Sequence, residues 1–179
     1  MPLEHNHIEL FVSKFKQVSY LKGDHFIREG QVSRFLGFII KGCLMYTYNK
    51  DGKEFIDEFS MDNEFITDYA SFVTGAPADK DVVFLEDSNL LILGHSNLQE
   101  LYDTDPIFER AGRIMAEMLF INWQQRVKSL LIEDAETRYG RLVKNRPELI
   151  QRVPQYLLAE YLRITPETLS RIRKRISIH

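Results

Sequence analysis

The chain has 179 residues, 44% hydrophobic and 12% aromatic, with 23 Lys/Arg against 26 Asp/Glu for a formal net charge of -3. This is the composition of a folded globular protein with room for one medium and one small domain, and it excludes a disordered or low-complexity chain. No apolar run reaches membrane-spanning length, MPLEHNH lacks the pattern of an export signal, and the single Cys43 excludes an intrachain disulfide, so a cytoplasmic protein is expected.

The first segment contains His5 and His7, whose spacing could suit a metal but whose position predicts solvated side chains. From about residue 18 to 94, short runs rich in β-branched and aromatic residues alternate with glycine-bearing turns, which predicts an all-β unit. Strands are expected at 26–28, 36–40, 43–48, 54–59, 82–86 and 90–93. Turn signals lie at Gly23, Gly30, Gly42, Asp51-Gly52 and Asp87-Ser88-Asn89. Cys43 reads as a small core residue, and the pattern fits a sandwich or jelly roll.

At Pro106 the pattern changes to a long helix reaching about Val127. Ile107, Ala111, Ile114, Met118 and Ile121 form one apolar stripe, and Phe108, Met115, Leu119 and Asn122 form a neighbouring one. Two apolar faces call for two partners, one inside the chain and one on a second copy. Such a helix could also carry a signal, by shifting when a ligand favours one arrangement over another.

Two short helices follow. The first, over 153–162, has Pro154 at its entrance and Leu158, Ala159 and Leu162 on one side; Ala159 is small enough for a close helix crossing. After Arg163, Ile164 and Thr165 comes a basic segment, 165–179, with Thr165 as N-cap and Pro166 at the first helical position. Its Leu169, Ile172 and Ile176 form an apolar stripe, opposite Glu167, Ser170, Arg171 and Lys174. Charge is divided accordingly: residues 1–110 hold 10 Lys/Arg against 19 Asp/Glu, whereas 111–179 hold 13 against 7. Phosphate binding depends on local potential, so the acidic front half does not exclude a nucleic-acid partner.

The order of parts, with Arg152-Val153-Pro154-Gln155, Leu158-Ala159, Leu162 and Ile164-Thr165-Pro166-Glu167-Thr168-Leu169-Ser170-Arg171, resembles the catabolite-activator (Crp/Fnr) superfamily of bacterial transcription regulators. The glycines at 23, 30 and 42 and the segment FITDYASF, 65–72, resemble the cyclic-nucleotide-binding fold. The resemblance implies an α+β chain: an N-terminal double-stranded β-helix (jelly roll) sensor over 1–105, a dimerisation helix over 106–128, and a C-terminal winged helix-turn-helix over 129–179. A wing, if present, is expected near 149–153. The implied partners are a palindromic double-stranded DNA site, a second copy of the chain, and RNA polymerase.

By the same resemblance Glu167 and Arg171 occupy base-reading positions, and their chemistry suits cytosine N4 and guanine O6/N7. Gln155, Thr165, Thr168, Ser170, Lys174 and Arg175 complete the expected DNA-binding set. Pro166 stands where relatives carry a further base-reading arginine, and Arg163 replaces the glycine common in the turn. In the sensor, Asp68 falls at the position of the glutamate that holds a ribose hydroxyl, beside Tyr69 and Ala70. Ala78 and Asp79 fall where a phosphate-binding arginine and hydroxyl belong, which argues against cyclic AMP. Lys80 is the nearby cation that a small loop shift could bring in. An unidentified small-molecule effector is expected, with a cyclic nucleotide the less favoured alternative, and no cofactor is assigned.

No phosphate loop, nucleophile elbow, catalytic triad or clustered metal-ligand set appears, since His25 and His95 are isolated; no catalytic or metal residue is assigned, and no enzyme is expected. The alternative reading is a ligand-binding or interaction module of the same fold without DNA binding.

Overall fold

The computed structural model describes residues 4–176, so the end of the basic segment, 177–179, lies outside the described residues. In chain order the elements are α1 (His5–Ser13), β1 (Lys16–Tyr20), β2 (His25–Ile27), β3 (Phe35–Lys41), β4 (Cys43–Lys50), β5 (Lys53–Met61), β6 (Phe65–Ile66), α2 (Tyr69–Thr74), β7 (Asp81–Phe84), β8 (Ser88–Gly94), α3 (His95–Thr104), α4 (Pro106–Ile132), α5 (Ala135–Asn145), α6 (Pro147–Arg152), α7 (Gln155–Tyr161) and α8 (Pro166–Ile176). They form two compact units. One comprises residues up to Tyr46 with Phe59–Ile121; the other comprises Thr47–Glu58 with the residues from Asn122 onward.

The strands make two four-stranded sheets, ordered β1-β8-β3-β6 and β2-β7-β4-β5. Strand β8 pairs antiparallel with both β1 and β3, with Leu90 opposite Val18 and Ile39. A core of Ile27, Ile39, Leu44, Ile66, Val82, Phe84 and Leu90 fills the space these strands enclose. Cys43 is buried. The alternation is imperfect along β4 and β5 because several consecutive residues there are covered on both faces. Gly42 is required: its backbone has φ +153°, and a Cβ there would lie 2.2 Å from the Ser88 hydroxyl.

Asp51 and Gly52 join β4 to β5 as a two-residue turn with φ of 55° and 79°. Two positive φ values in succession are the geometry of a type I′ hairpin, for which Asp-Gly is a preferred pair. The side chain of Asn49 accepts the Gly52 N–H at 3.1 Å. The distal part of this hairpin, Thr47–Glu58, clusters with the second unit.

A second core of the first unit gathers Leu36, Phe72, Leu93, Leu98, Leu101, Ile107 and Phe108, with Leu10, Phe11 and Met115 packed on it. His7 shares the α1 face that carries Phe11, four residues on, and so is drawn inward rather than solvated. Its Nδ1 accepts the Glu4 N–H at 3.1 Å, and its Nε2 lies 3.4 Å from Asp105 Oδ2. His5 remains exposed, as expected.

Helix α4 runs to Ile132, five residues beyond the end expected from its stripe. Its two faces divide unevenly. Ile107 belongs to the intramolecular core and not to an outward stripe, because the first turn of α4 packs beside Leu101 and Phe72. Further along, Ile114, Met118 and Ile121 are 42%, 58% and 50% exposed, and Ala111 is exposed as well. At 149–153 the chain forms α6 instead of a β wing: Pro147 occupies the first helical turn and Leu149 is fully buried, the local pattern of a helix start.

Candidate nucleic-acid interface

In the second unit, Leu158, Ala159 and Leu162 from the α7 side and Leu169 and Ile172 from α8 are all buried. Between the helices the backbone closes a Schellman turn. Arg163 N–H donates to Glu160 O at 2.9 Å, and Ile164 N–H donates to Ala159 O at 3.0 Å. That motif needs a left-handed residue at its centre, and Arg163 supplies it with φ 57°. For a residue bearing a Cβ this conformation costs about 1 kcal/mol or more.

Helix α8 then begins under local control. Thr165 Oγ1 accepts the Thr168 N–H at 3.3 Å, an N-cap, and the Thr168 hydroxyl in turn accepts from Arg171 Nη2 at 3.3 Å. Glu167 is held below the usual carboxylate range, first by its own backbone N–H at the helix start and then by the Thr165 hydroxyl. It is therefore an ionised acceptor at neutral pH. Glu167, Ser170, Arg171 and Lys174 are exposed on α8, and Gln155 is exposed at the start of α7. Arg175 is exposed too but engages Glu136 of α5 at 3.1 Å. Thr168 is half-buried between Thr165 and Arg171, less open than the other expected contacts.

Five side chains gathered around this turn have no role assigned from the sequence. Tyr161 hydroxyl donates to Glu58 Oε1 at 2.9 Å, and Arg146 Nη1 donates to the same oxygen at 3.0 Å. Burial, followed by the Glu58 charge, pushes the Tyr161 phenol well above its ordinary value. Arg126 lies 3.8 Å from the Tyr161 ring centroid and donates to Tyr161 O at 2.6 Å. Arg138 Nη2 donates to Leu162 O at 2.9 Å. One signal was available: Arg163 standing where a turn of this kind favours glycine. The others depend on partners far along the chain.

In the first unit, Asp68 is buried and caps α2, its Oδ1 accepting the Ser71 N–H at 2.9 Å. Its Oδ2 is buried without a hydrogen-bond partner among the described residues. Around it the Ser71 hydroxyl donates to Ala76 O and accepts the Ser33 N–H at 2.8 Å, and Ser33 Oγ meets Thr67 Oγ1 at 2.9 Å. Residues 17–105 match the family model described as cyclic nucleotide-binding domain. That stretch belongs to the cyclic nucleotide-binding domain family.

The side chains at the two positions expected to hold a cyclic phosphate are neither an arginine nor a hydroxyl. At the position expected to neutralise it stands Ala78, a buried methyl whose backbone pairs with Gly30 and Gln31. Asp79, where a hydroxyl is expected, is an exposed carboxylate. Lys80 Nζ lies over the Tyr46 ring at 5.9 Å. Tyr69 and Ala70 are exposed on α2, and Tyr69 lines a groove with Phe72, His95, Tyr102 and Met115 that does not include Asp68.

Among solved structures, the c-di-GMP-responsive global regulator CLP from Xanthomonas campestris aligns with TM-score 0.70 and 18% identity over 98% of this chain and 92% of its own. FixK2 from Bradyrhizobium japonicum aligns with TM-score 0.75 and 16% identity over 92% and 85%. The catabolite activator protein of Thermus thermophilus aligns with TM-score 0.58 and 18% identity over 98% and 84%. The fold is that of Crp/Fnr-like regulators. No curated protein sequence is similar enough to match. Among the described residues no group of three or more His, Cys, Asp and Glu could hold a metal ion, and no helix is long and apolar enough to cross a membrane.

Proposed function

We propose that the chain is a sequence-specific DNA-binding transcription regulator that acts as a homodimer, with a cyclic nucleotide-binding domain not tuned to cyclic AMP. The observation that carries this reading is the two-sidedness of α8: Leu169 and Ile172 are buried, while Glu167, Ser170, Arg171 and Lys174 are exposed beside them. A rod held from beneath, with an ionised carboxylate and a guanidinium one helical turn apart on its outer side, suits the edges of a major groove.

Dimerisation is supported by the exposed Ile114, Met118 and Ile121, which recur at helical spacing. Two such readers would occupy half-sites about 34 Å apart, which makes the operator palindromic. RNA polymerase is the expected further partner of a regulator with this fold. The effector in this reading is a small molecule other than cyclic AMP, because the positions that the resemblance assigns to a phosphate-holding arginine and hydroxyl are Ala78 and Asp79. Similarity to a regulator described as c-di-GMP-responsive is consistent with a fold that serves different signals.

The test is selection of bound duplexes from random DNA by the full chain, followed by titration at several salt concentrations. A palindromic consensus bound with a steep salt dependence is expected. Failure to enrich any sequence would favour an interaction module that does not read DNA.

A further inference from the structure

The geometry points to a reading head that is discontinuous in sequence: the hairpin tip Thr47–Glu58 is a prop of the helix-turn-helix, and Arg163 is the positioning residue that ties the two together. The inference rests on the DNA-reading proposal for its function but not for its structure.

Arg163 occupies a left-handed position where glycine would sit without strain. Its side chain accounts for the choice. Nη2 donates to Ile56 O at 3.0 Å, Nη1 meets Glu160 Oε1 at 3.2 Å, and the guanidinium lies 5.9 Å from the Phe55 ring centroid. A second tie stands two residues earlier, where Glu58 takes the Tyr161 hydroxyl and the Arg146 guanidinium. The hairpin thus holds the side chains on both sides of Leu162, while Arg126 and Arg138 hold the carbonyls of Tyr161 and Leu162.

These ties act on direction. Thr165, the cap of α8, lies two residues beyond Arg163, so fixing the backbone at Arg163 fixes where α8 points and with it Glu167 and Arg171. A cation beside a DNA-reading helix could instead serve as a phosphate contact. In this structure the Arg163 guanidinium is spent on the hairpin and on Glu160.

The test uses the full chain and the variants Arg163→Ala, Arg163→Gly and Phe55→Ala, with Glu58→Ala as a second hairpin-side change should Phe55→Ala fail to fold. Backbone hydrogen exchange is followed at 47–58 and 162–169, and affinity for selected duplexes is measured across salt concentrations. Arg163→Ala and Phe55→Ala should each raise exchange in both segments by about tenfold. Both should weaken binding by about tenfold while leaving the salt slope unchanged, since no phosphate contact is lost. Arg163→Gly should raise exchange in the hairpin alone, because glycine keeps the turn. Wild-type exchange and affinity in both hairpin-side variants would overturn the proposal. So would a salt slope reduced by about one in Arg163→Ala with the hairpin unchanged, the signature of a phosphate contact. If the wild type enriches no duplex, the DNA reading fails separately, and the exchange measurements still decide whether the hairpin is a prop.

Discussion

The Tyr161 hydroxyl and the Glu58 carboxylate, 103 residues apart in sequence, meet at 2.9 Å, with Arg146 donating to the same carboxylate oxygen. Tyr161 is 6% exposed, so its phenol has exchanged water for one charged acceptor. Neutral phenol is the form this arrangement holds.

That relationship gives an alkaline signature. The folded-state phenol titrates above its ordinary value of 10.0, so below pH 10 both folded and unfolded chains keep the proton and its contribution to stability is complete. As pH rises past 10 the unfolded chain loses the proton first, and stability falls by up to about 1.4 kcal/mol per pH unit from this one group. Urea unfolding at pH 9 to 11 should show that Tyr161→Phe has a shallower decline than the wild type. At neutral pH the same variant should lose about 1 kcal/mol, the hydrogen bond being discounted because Glu58 is partly open to solvent. Identical alkaline slopes would contradict the assignment.

On α8 the two kinds of cation should separate. Arg171→Ala is expected to relax selectivity at one base pair per half-site, by about 1–3 kcal/mol. Lys174→Ala should weaken all sequences alike and reduce the salt slope by about one. Competition binding with single-position duplex variants reads the first, and salt titration reads the second.

Along α4, position decides the outcome of substitution. Ile114→Glu and Met118→Glu change exposed side chains, so helicity and monomer folding should persist while sedimentation shifts from dimer to monomer. Ile107→Ala should do the opposite: it empties a core site and should destabilise the fold by about 2–4 kcal/mol. Thermal unfolding beside sedimentation distinguishes the two classes, and a monomer produced by Ile107→Ala alone would reverse the assignment.

For the stretch matching the cyclic nucleotide-binding domain, a ligand at a hundredfold excess over its Kd would stabilise the protein by about 2.7 kcal/mol, a readily measured rise in Tm. Cyclic AMP at millimolar concentration should give no such rise, because Ala78 and Asp79 offer no compensating positive charge at the expected phosphate position. A clear, saturable rise in Tm would show that Lys80 or another group takes that part.

Much of this architecture was legible wherever the determining interaction is short. Asp51-Gly52 specifies its turn through its own backbone preferences, Thr165-Pro166 specifies a helix start, and Leu169 and Ile172 mark the buried side of α8 by spacing alone. The strands at 43–48 and 54–59 were recognised and only lengthened, to Cys43–Lys50 and Lys53–Met61. The short β1 and β6 passed unseen because few residues carry their pattern, and the expected wing at 149–153 yielded to the helix that Pro147 and Leu149 initiate.

The sequence by itself determined the longer strands, the long helix and the two helices at the chain's C-terminal end, the division of charge and the outward chemistry of α8, since these follow from periodicity, capping and residue type within a few positions. Tertiary structure alone decided that His7 and Ile107 turn inward and that Thr47–Glu58 joins the second unit. The physical reason is range. A residue's burial and its hydrogen-bond partner depend on groups that folding brings from far along the chain, and Arg163 shows both sides: its residue type departs visibly from glycine, but only the carbonyl of Ile56 explains why.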